Sequence, residues 1–144
     1  MKKCLILFFL ISILAIPGVS LGEDGLVVII HPSNPMQTIN KSKLAAFYRG
    51  EEIYWPNGER IVLVNLSLNS EAREMFYRKV LKTSPATKYF IKGTMAPIRT
   101  IVQKSEAAVK LFVSNMPQAI GYILEKEVDD SVKVLMIDGG KNIP

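Results

Sequence analysis

Leu26-Val27-Val28-Ile29-Ile30 is an unbroken apolar run, mostly β-branched, closed at once by His31-Pro32-Ser33-Asn34-Pro35. A run of that kind, without polar alternation, is the pattern of a strand covered on both faces. The two prolines after it forbid both ladder pairing and continuation as a helix. Ile61-Val62-Leu63-Val64 repeats the pattern, and Ile120–Leu124 and Val132–Met136 read as two further strands.

Helical spacing fills the intervals. Asn40 is placed to cap a short helix carrying Leu44, Phe47 and Tyr48 on one face, with Gly50 as its stop. Asn57-Gly58 predicts a tight hairpin turn between Ile53-Tyr54-Trp55 and the second strand. A helix is expected from Asn69 or Ser70, carrying Ala72, Met75, Phe76 and Val80. Another is expected from Ser84-Pro85 to Gly93, with proline at the first helical position, and a third over about 100–114 with Ile101, Ala108, Val109, Phe112 and Val113 inward. Strands alternating with helices predict an α/β layer fold with a mainly parallel sheet.

The first 22 residues have a separate character. Lys2 and Lys3 precede an apolar run from Leu5 to Ile16, Pro17-Gly18 break it, and Ser20-Leu21-Gly22 sets small residues before a cleavage point. These are the parts of a secretory signal peptide. As a membrane anchor the run is short: about 12 residues reach roughly 18 Å against a hydrocarbon core of about 30 Å. The expected organisation is a signal peptide over 1–22 and one domain over 23–144, exported to the periplasm or beyond.

The mature chain would then hold no thiol, because Cys4 is the one cysteine of the sequence. That excludes disulfides, thiolate metal sites and cysteine nucleophiles, and leaves the hydrophobic core to carry the fold. Without Lys2 and Lys3 the net charge falls from +5 to +3, too mild and too evenly spread to argue for nucleic acid. No metal or other cofactor is expected: His31 is the lone histidine, without clustered carboxylates, and reads as structural or loop-lining. No serine–histidine–acid order, paired carboxylates or phosphate-binding glycine loop supports catalysis.

Parallel α/β sheets take ligands beyond the carboxyl ends of their strands, beside helix starts. Two segments are expected there: His31–Thr38, with Ser33 and Asn34, and Asn65–Ser70, with Asn69 and Ser70 ahead of Arg73. A helix start carries unpaired N–H groups and partial positive charge, Ser70 adds a hydroxyl and Arg73 a bidentate guanidinium, so an anion would suit the second segment. Thr94, after Lys92-Gly93, could add a further hydroxyl. Alternatively Asn69 or Ser70 merely caps the helix, Arg73 is a solvated surface charge, and Tyr54 and Trp55 pack a hairpin rather than a ligand.

Trp55-Pro56-Asn57-Gly58, Ile61–Asn65, Ser70-x-x-Arg73-Glu74-x-Phe76 and Pro117–Ile123 follow one another in an order that resembles the phosphate-binding proteins of ABC importers, within the periplasmic-binding-protein-like superfamily. In that family a helix beginning Gly-Ser-Gly-Thr-Arg-Glu-x-Phe wraps phosphate. Ser70, Arg73, Glu74 and Phe76 match it, whereas Glu71 stands for the second glycine and Ala72 for the threonine. The resemblance implies a single lobe of a type II fold, in a chain less than half as long as the two-lobed members. It implies a non-enzymatic binding protein holding phosphate or a related oxyanion through Ser70 and Arg73, and presenting it to a membrane transporter or sensor; loop position adds Asn69, Ser33, Asn34 and Thr94 to the expected contacts. Without a second lobe, a partner or a second copy in a homodimer would have to cover the ligand. Glu71 and Ala72 favour a different outcome, an envelope protein-interaction module that has lost its small ligand.

Overall fold

The computed structural model describes residues 24–144, so the expected signal peptide lies outside the described residues. Six strands form one sheet in the order β2-β6-β1-β5-β3-β4. They are β1 (Leu26–Ile30), β2 (Thr38–Ile39), β3 (Val62–Leu66), β4 (Ile101–Gln103), β5 (Ala119–Leu124) and β6 (Lys133–Ile137). Helices α1 (Lys41–Arg49), α2 (Glu71–Phe76) and α3 (Glu106–Asn115) flank it. Five strands run one way and β1 runs against them, antiparallel to both β5 and β6. The sheet is thus mainly parallel with one reversed member. Among the described residues no helix is long and apolar enough to cross a membrane.

All five residues of β1 are buried, as its unbroken apolar run requires of a strand between two neighbours and two covered faces. Asn40 caps α1 by accepting from the Lys43 N–H, and Gly50 ends it in the left-handed region at φ 76°. The 53–61 hairpin closes with Trp55 N–H on the Glu59 carbonyl at 2.8 Å, around Asn57-Gly58. Trp55 itself is buried, edge-on to Phe47, with its Nε1–H on the Gln118 carbonyl at 2.9 Å. An aromatic stack sits at the centre, with Phe76 parallel to Tyr122 at 4.1 Å and Tyr48 tilted against Phe76 at 4.6 Å.

Gly121 in β5 lets α3 approach the sheet; a Cβ there would lie 2.9 Å from Val109 Cγ1 and 3.4 Å from Val113 Cγ2. Glu106 in the first turn of α3 accepts the Leu124 N–H at 2.6 Å, which holds the end of β5 to the helix. The ends of the described chain meet. Ile143 N–H donates to the Leu26 carbonyl at 2.8 Å, and Gly25 lies directly against Asn142.

Two helix expectations need correction. Residues 84–100 are not helical: Ser84-Pro85 opens a turn closed by Thr87 N–H on the Ser84 carbonyl at 3.0 Å. A narrow loop follows, pinned by Ile98 N–H on Tyr89 and Ile91 N–H on Ala96. The carbonyl of Pro85, which a helix would offer to Tyr89, is taken by Arg73 instead. The expected helix over 100–114 begins at Glu106, capped by Ser105, and Ile101 belongs to β4 beside Val64. Ile101-Val102 is β-branched and pairs with a ready strand edge, so local spacing yields to sheet pairing.

Candidate functional site

The two loops expected to share one edge of the sheet lie at opposite edges. Ile30 pairs with Ile120, which also pairs with Leu63 near the start of β3. The chain therefore leaves β1 where β3 and β5 begin, whereas Asn65–Ser70 follows the end of β3. Reversal of β1 is the cause. Ser33 and Asn34 line a groove of about 250 Å³ with Trp55, Pro56 and Asn57. There Ser33 Oγ is 2.7 Å from His31 Nδ1, and Asn34 Oδ1 accepts the Met36 N–H at 3.0 Å. Thr94 joins neither group. Its hydroxyl donates to Ile91 within its own turn and accepts from Ala96 N–H.

At the carboxyl edge, α2 begins as the sequence leads one to expect. Ser70 is its N-cap, and Ser70 Oγ accepts the Arg73 N–H at 3.4 Å. Ala72, Met75 and Phe76 are buried, and Glu71 and Glu74 face solvent in the first turn, where acidic side chains suit the helix dipole. After Phe76 the chain widens into a π-helical turn over Tyr77–Leu81, ended by Lys82 in the left-handed region at φ 58°. Such single π turns inside α-helices are frequent at functional sites. Here the residue at the transition is Tyr77.

Arg73 is buried at 9% exposure, not a solvated surface charge. Its Nη1 donates to the Leu66 carbonyl at 2.6 Å, and Nη2 and Nε donate to the Pro85 carbonyl at 2.7 and 3.2 Å. Nη2 also donates to Tyr77 Oη at 3.4 Å, and the guanidinium carbon lies 4.9 Å from the Tyr77 ring centre. Four of the five guanidinium N–H groups are thus engaged, all on neutral oxygens. The arginine fastens the end of β3 to the 84–100 loop and, among the described residues, has no carboxylate partner for its charge.

A hydrogen-bond relay continues from Tyr77. Asn65 Nδ2 donates to Tyr77 Oη at 2.9 Å, while Asn65 Oδ1 accepts from Leu66 N–H at 3.2 Å and from the Tyr122 hydroxyl. The Leu66 N–H is only a donor, so the amide oxygen must face it, which fixes the orientation of Asn65. Burial raises the Tyr122 pKa above the usual tyrosine range, the largest of its influences. Tyr48, whose hydroxyl donates to the Val64 carbonyl at 2.8 Å, is raised by burial as well.

Over this relay lies a cleft of about 730 Å³. Its floor and walls include Asn65, Ser67, Arg73, Tyr77, Thr87, Lys88 and Thr100. Among the described residues its charged lining consists of Arg73 and Lys88, with no carboxylate. Ser67 and Leu68 line it, but Asn69, Ser70 and Glu71 do not. Sequence reasoning missed Tyr77, Thr87 and Lys88. Tyr77 at helical spacing from Arg73 was visible, but the π turn that begins at it was not, and Thr87 and Lys88 were hidden by the helix expected over them.

No family model matches the sequence. Solved structures match the fold. PstS from Borrelia burgdorferi superposes with a TM-score of 0.67 at 24% identity, over 81% of this chain and 48% of that one. An ABC-type phosphate transport receptor from Vibrio cholerae gives 0.65 at 21% identity, over 83% and 48%. A phosphate ABC transporter substrate-binding protein from Clostridium perfringens, solved with bound phosphate, gives 0.65 at 23% identity, over 81% and 46%. The chain spans about half the length of each. At these identities the likeness is one of fold, and the chain has the α/β fold of a single lobe of a periplasmic-binding-protein-like structure, resembling the phosphate-binding receptors of ABC transporters.

Proposed function

We propose that this domain is a non-enzymatic, exported solute-binding protein that holds phosphate or a related small oxyanion in the cleft above Arg73. The observation that carries the reading is electrostatic. Among the described residues a buried guanidinium has only neutral oxygens as partners and lies in a cleft whose remaining charged lining is Lys88. An anion there gains from both cations and meets no like charge. Glu71 is exposed and outside the cleft lining, so it is no barrier to approach. Asn69 and Ser70 stand at the start of α2 outside the cleft lining, where Ser70 serves as the cap that accepts the Arg73 N–H. Ser33, Asn34 and Thr94 have no part in this site. The fold likeness to a receptor solved with phosphate supports the same ligand class. Delivery to a membrane transporter or sensor, and export through residues 1–22, belong to this reading.

A second reading, a protein-interaction module, has its own observation. β4 is an outermost strand, and its Ile101 and Val102 are 40% and 55% exposed, with Leu68 at 60% nearby in sequence to the paired strand β3. An open, apolar strand edge is a place for another chain to add.

Thermal unfolding of residues 23–144, titrated with phosphate, sulfate and chloride, separates the two. Ligand at 100 times its dissociation constant adds about 2.7 kcal/mol, which raises the melting point of a domain this size by roughly 10 °C. A rise with oxyanions that Lys88→Gln reduces, and that chloride does not reproduce, supports binding in the cleft. No response to millimolar oxyanion leaves the interaction module.

A further inference from the structure

Tyr77 Oη accepts two N–H groups, from Asn65 at 2.9 Å and from Arg73 at 3.4 Å, and both partners can only donate. Its own proton has no acceptor among the described residues, although Tyr77 is 96% buried and lines the cleft. A buried O–H without an acceptor is a costly feature unless something outside the protein supplies one. Donation into the oxygen, once from a cation, also strengthens that O–H as a donor. The cleft's remaining charged groups are donors as well, and no carboxylate lines it.

We infer that the Tyr77 hydroxyl donates to the bound anion, and that the site is matched to an oxyanion offering only acceptor oxygens, of the sulfate kind. The inference rests on the oxyanion reading and sharpens it. Phosphate at neutral pH keeps a P–O–H that needs an acceptor, and among the described residues the cleft offers it neutral hydroxyl oxygens, of Ser67, Thr87 and Thr100, but no carboxylate, the strong acceptor for such a proton. Sulfate has no such proton. Its four oxygens can all accept, from Tyr77, Arg73 and Lys88 among others.

Isothermal titration of residues 23–144 with sodium sulfate and sodium phosphate, on the unmodified domain and on Tyr77→Phe, tests the assignment. Sulfate should bind at least as tightly as phosphate, and Tyr77→Phe should weaken sulfate by about tenfold to a hundredfold. Because Asn65 and Arg73 lose an acceptor in that variant, a second measurement uses the unaltered protein labelled with carbon-13 at tyrosine Cζ. Saturation with sulfate should move the Tyr77 resonance and leave exposed Tyr54 in place. Phosphate binding more than tenfold tighter than sulfate, an unmoved Tyr77 resonance, or full affinity in a folded Tyr77→Phe would each overturn the inference while sparing the oxyanion site. Absence of binding by either anion would overturn both.

Discussion

Arg73 Nη1 lies 2.6 Å from the carbonyl oxygen of Leu66, which ties α2 back to the last residue of the strand that precedes it. The same guanidinium reaches forward to Pro85 at 2.7 Å. Arg73→Ala would leave the Leu66 and Pro85 carbonyls without this donor and the Tyr77 hydroxyl with Asn65 alone, and should cost about 2–4 kcal/mol in urea unfolding. Arg73→Lys should recover part of this, because one ammonium cannot span the fork. A variant as stable as the parent would show that the clasp holds nothing.

Glu71 offers the opposite expectation. It is exposed in the first turn of α2 and outside the cleft, so Glu71→Gly should leave anion affinity unchanged within twofold. The variant should lose about 1 kcal/mol through glycine's helix cost and the lost dipole partner. A marked gain in phosphate affinity by titration calorimetry would mean that the carboxylate does reach the ligand.

Two glycines in left-handed turns should respond unequally to alanine. At Gly58, φ +87°, an added Cβ meets nothing within 4 Å, and only conformational strain remains, about 1 kcal/mol. At Gly50, φ +76°, the same atom would lie 2.3 Å from Ile98 Cδ1 and 2.8 Å from the Phe90 carbonyl oxygen. Strain and collision should together cost about 2–4 kcal/mol, read as the difference in denaturation midpoint.

The buried tyrosines set an alkaline limit. Tyr48 and Tyr122 have folded pKa values raised above the ordinary 10.0, chiefly by burial. Above that pH the unfolded chain loses these protons and the folded chain keeps them, so stability is full below pH 10 and falls as pH rises beyond it. Melting temperature against pH should bend downward there, with tyrosinate absorbance appearing together with unfolding. Tyr122→Phe should give a shallower fall.

Much of the scaffold was legible in the chain. The apolar runs at 26–30, 61–64 and 120–124 became the central strands β1, β3 and β5, Asn40 and Ser70 capped through their side chains, and Gly50 ended α1 because it has none. Strand direction was not legible, because a run buried on both faces looks the same read either way. That one ambiguity put Ser33 and Asn34 at the wrong edge. The 84–100 loop escaped because its local signals, Ser84-Pro85 and Gly93, serve a turn as well as a helix. What decided it was Arg73 taking the Pro85 carbonyl, a contact between residues 12 apart in sequence that no local pattern records. Burial of Arg73 was hidden for the same reason.

The bond between Ile143 and Leu26 bears on how such a lobe combines with other sequence. A domain whose two ends emerge side by side can be spliced into a host chain at one point, or removed from it, without pulling its strands apart. Joining the ends by a short linker and opening the chain at the exposed Asn57-Gly58 turn should likewise preserve every ladder of the sheet.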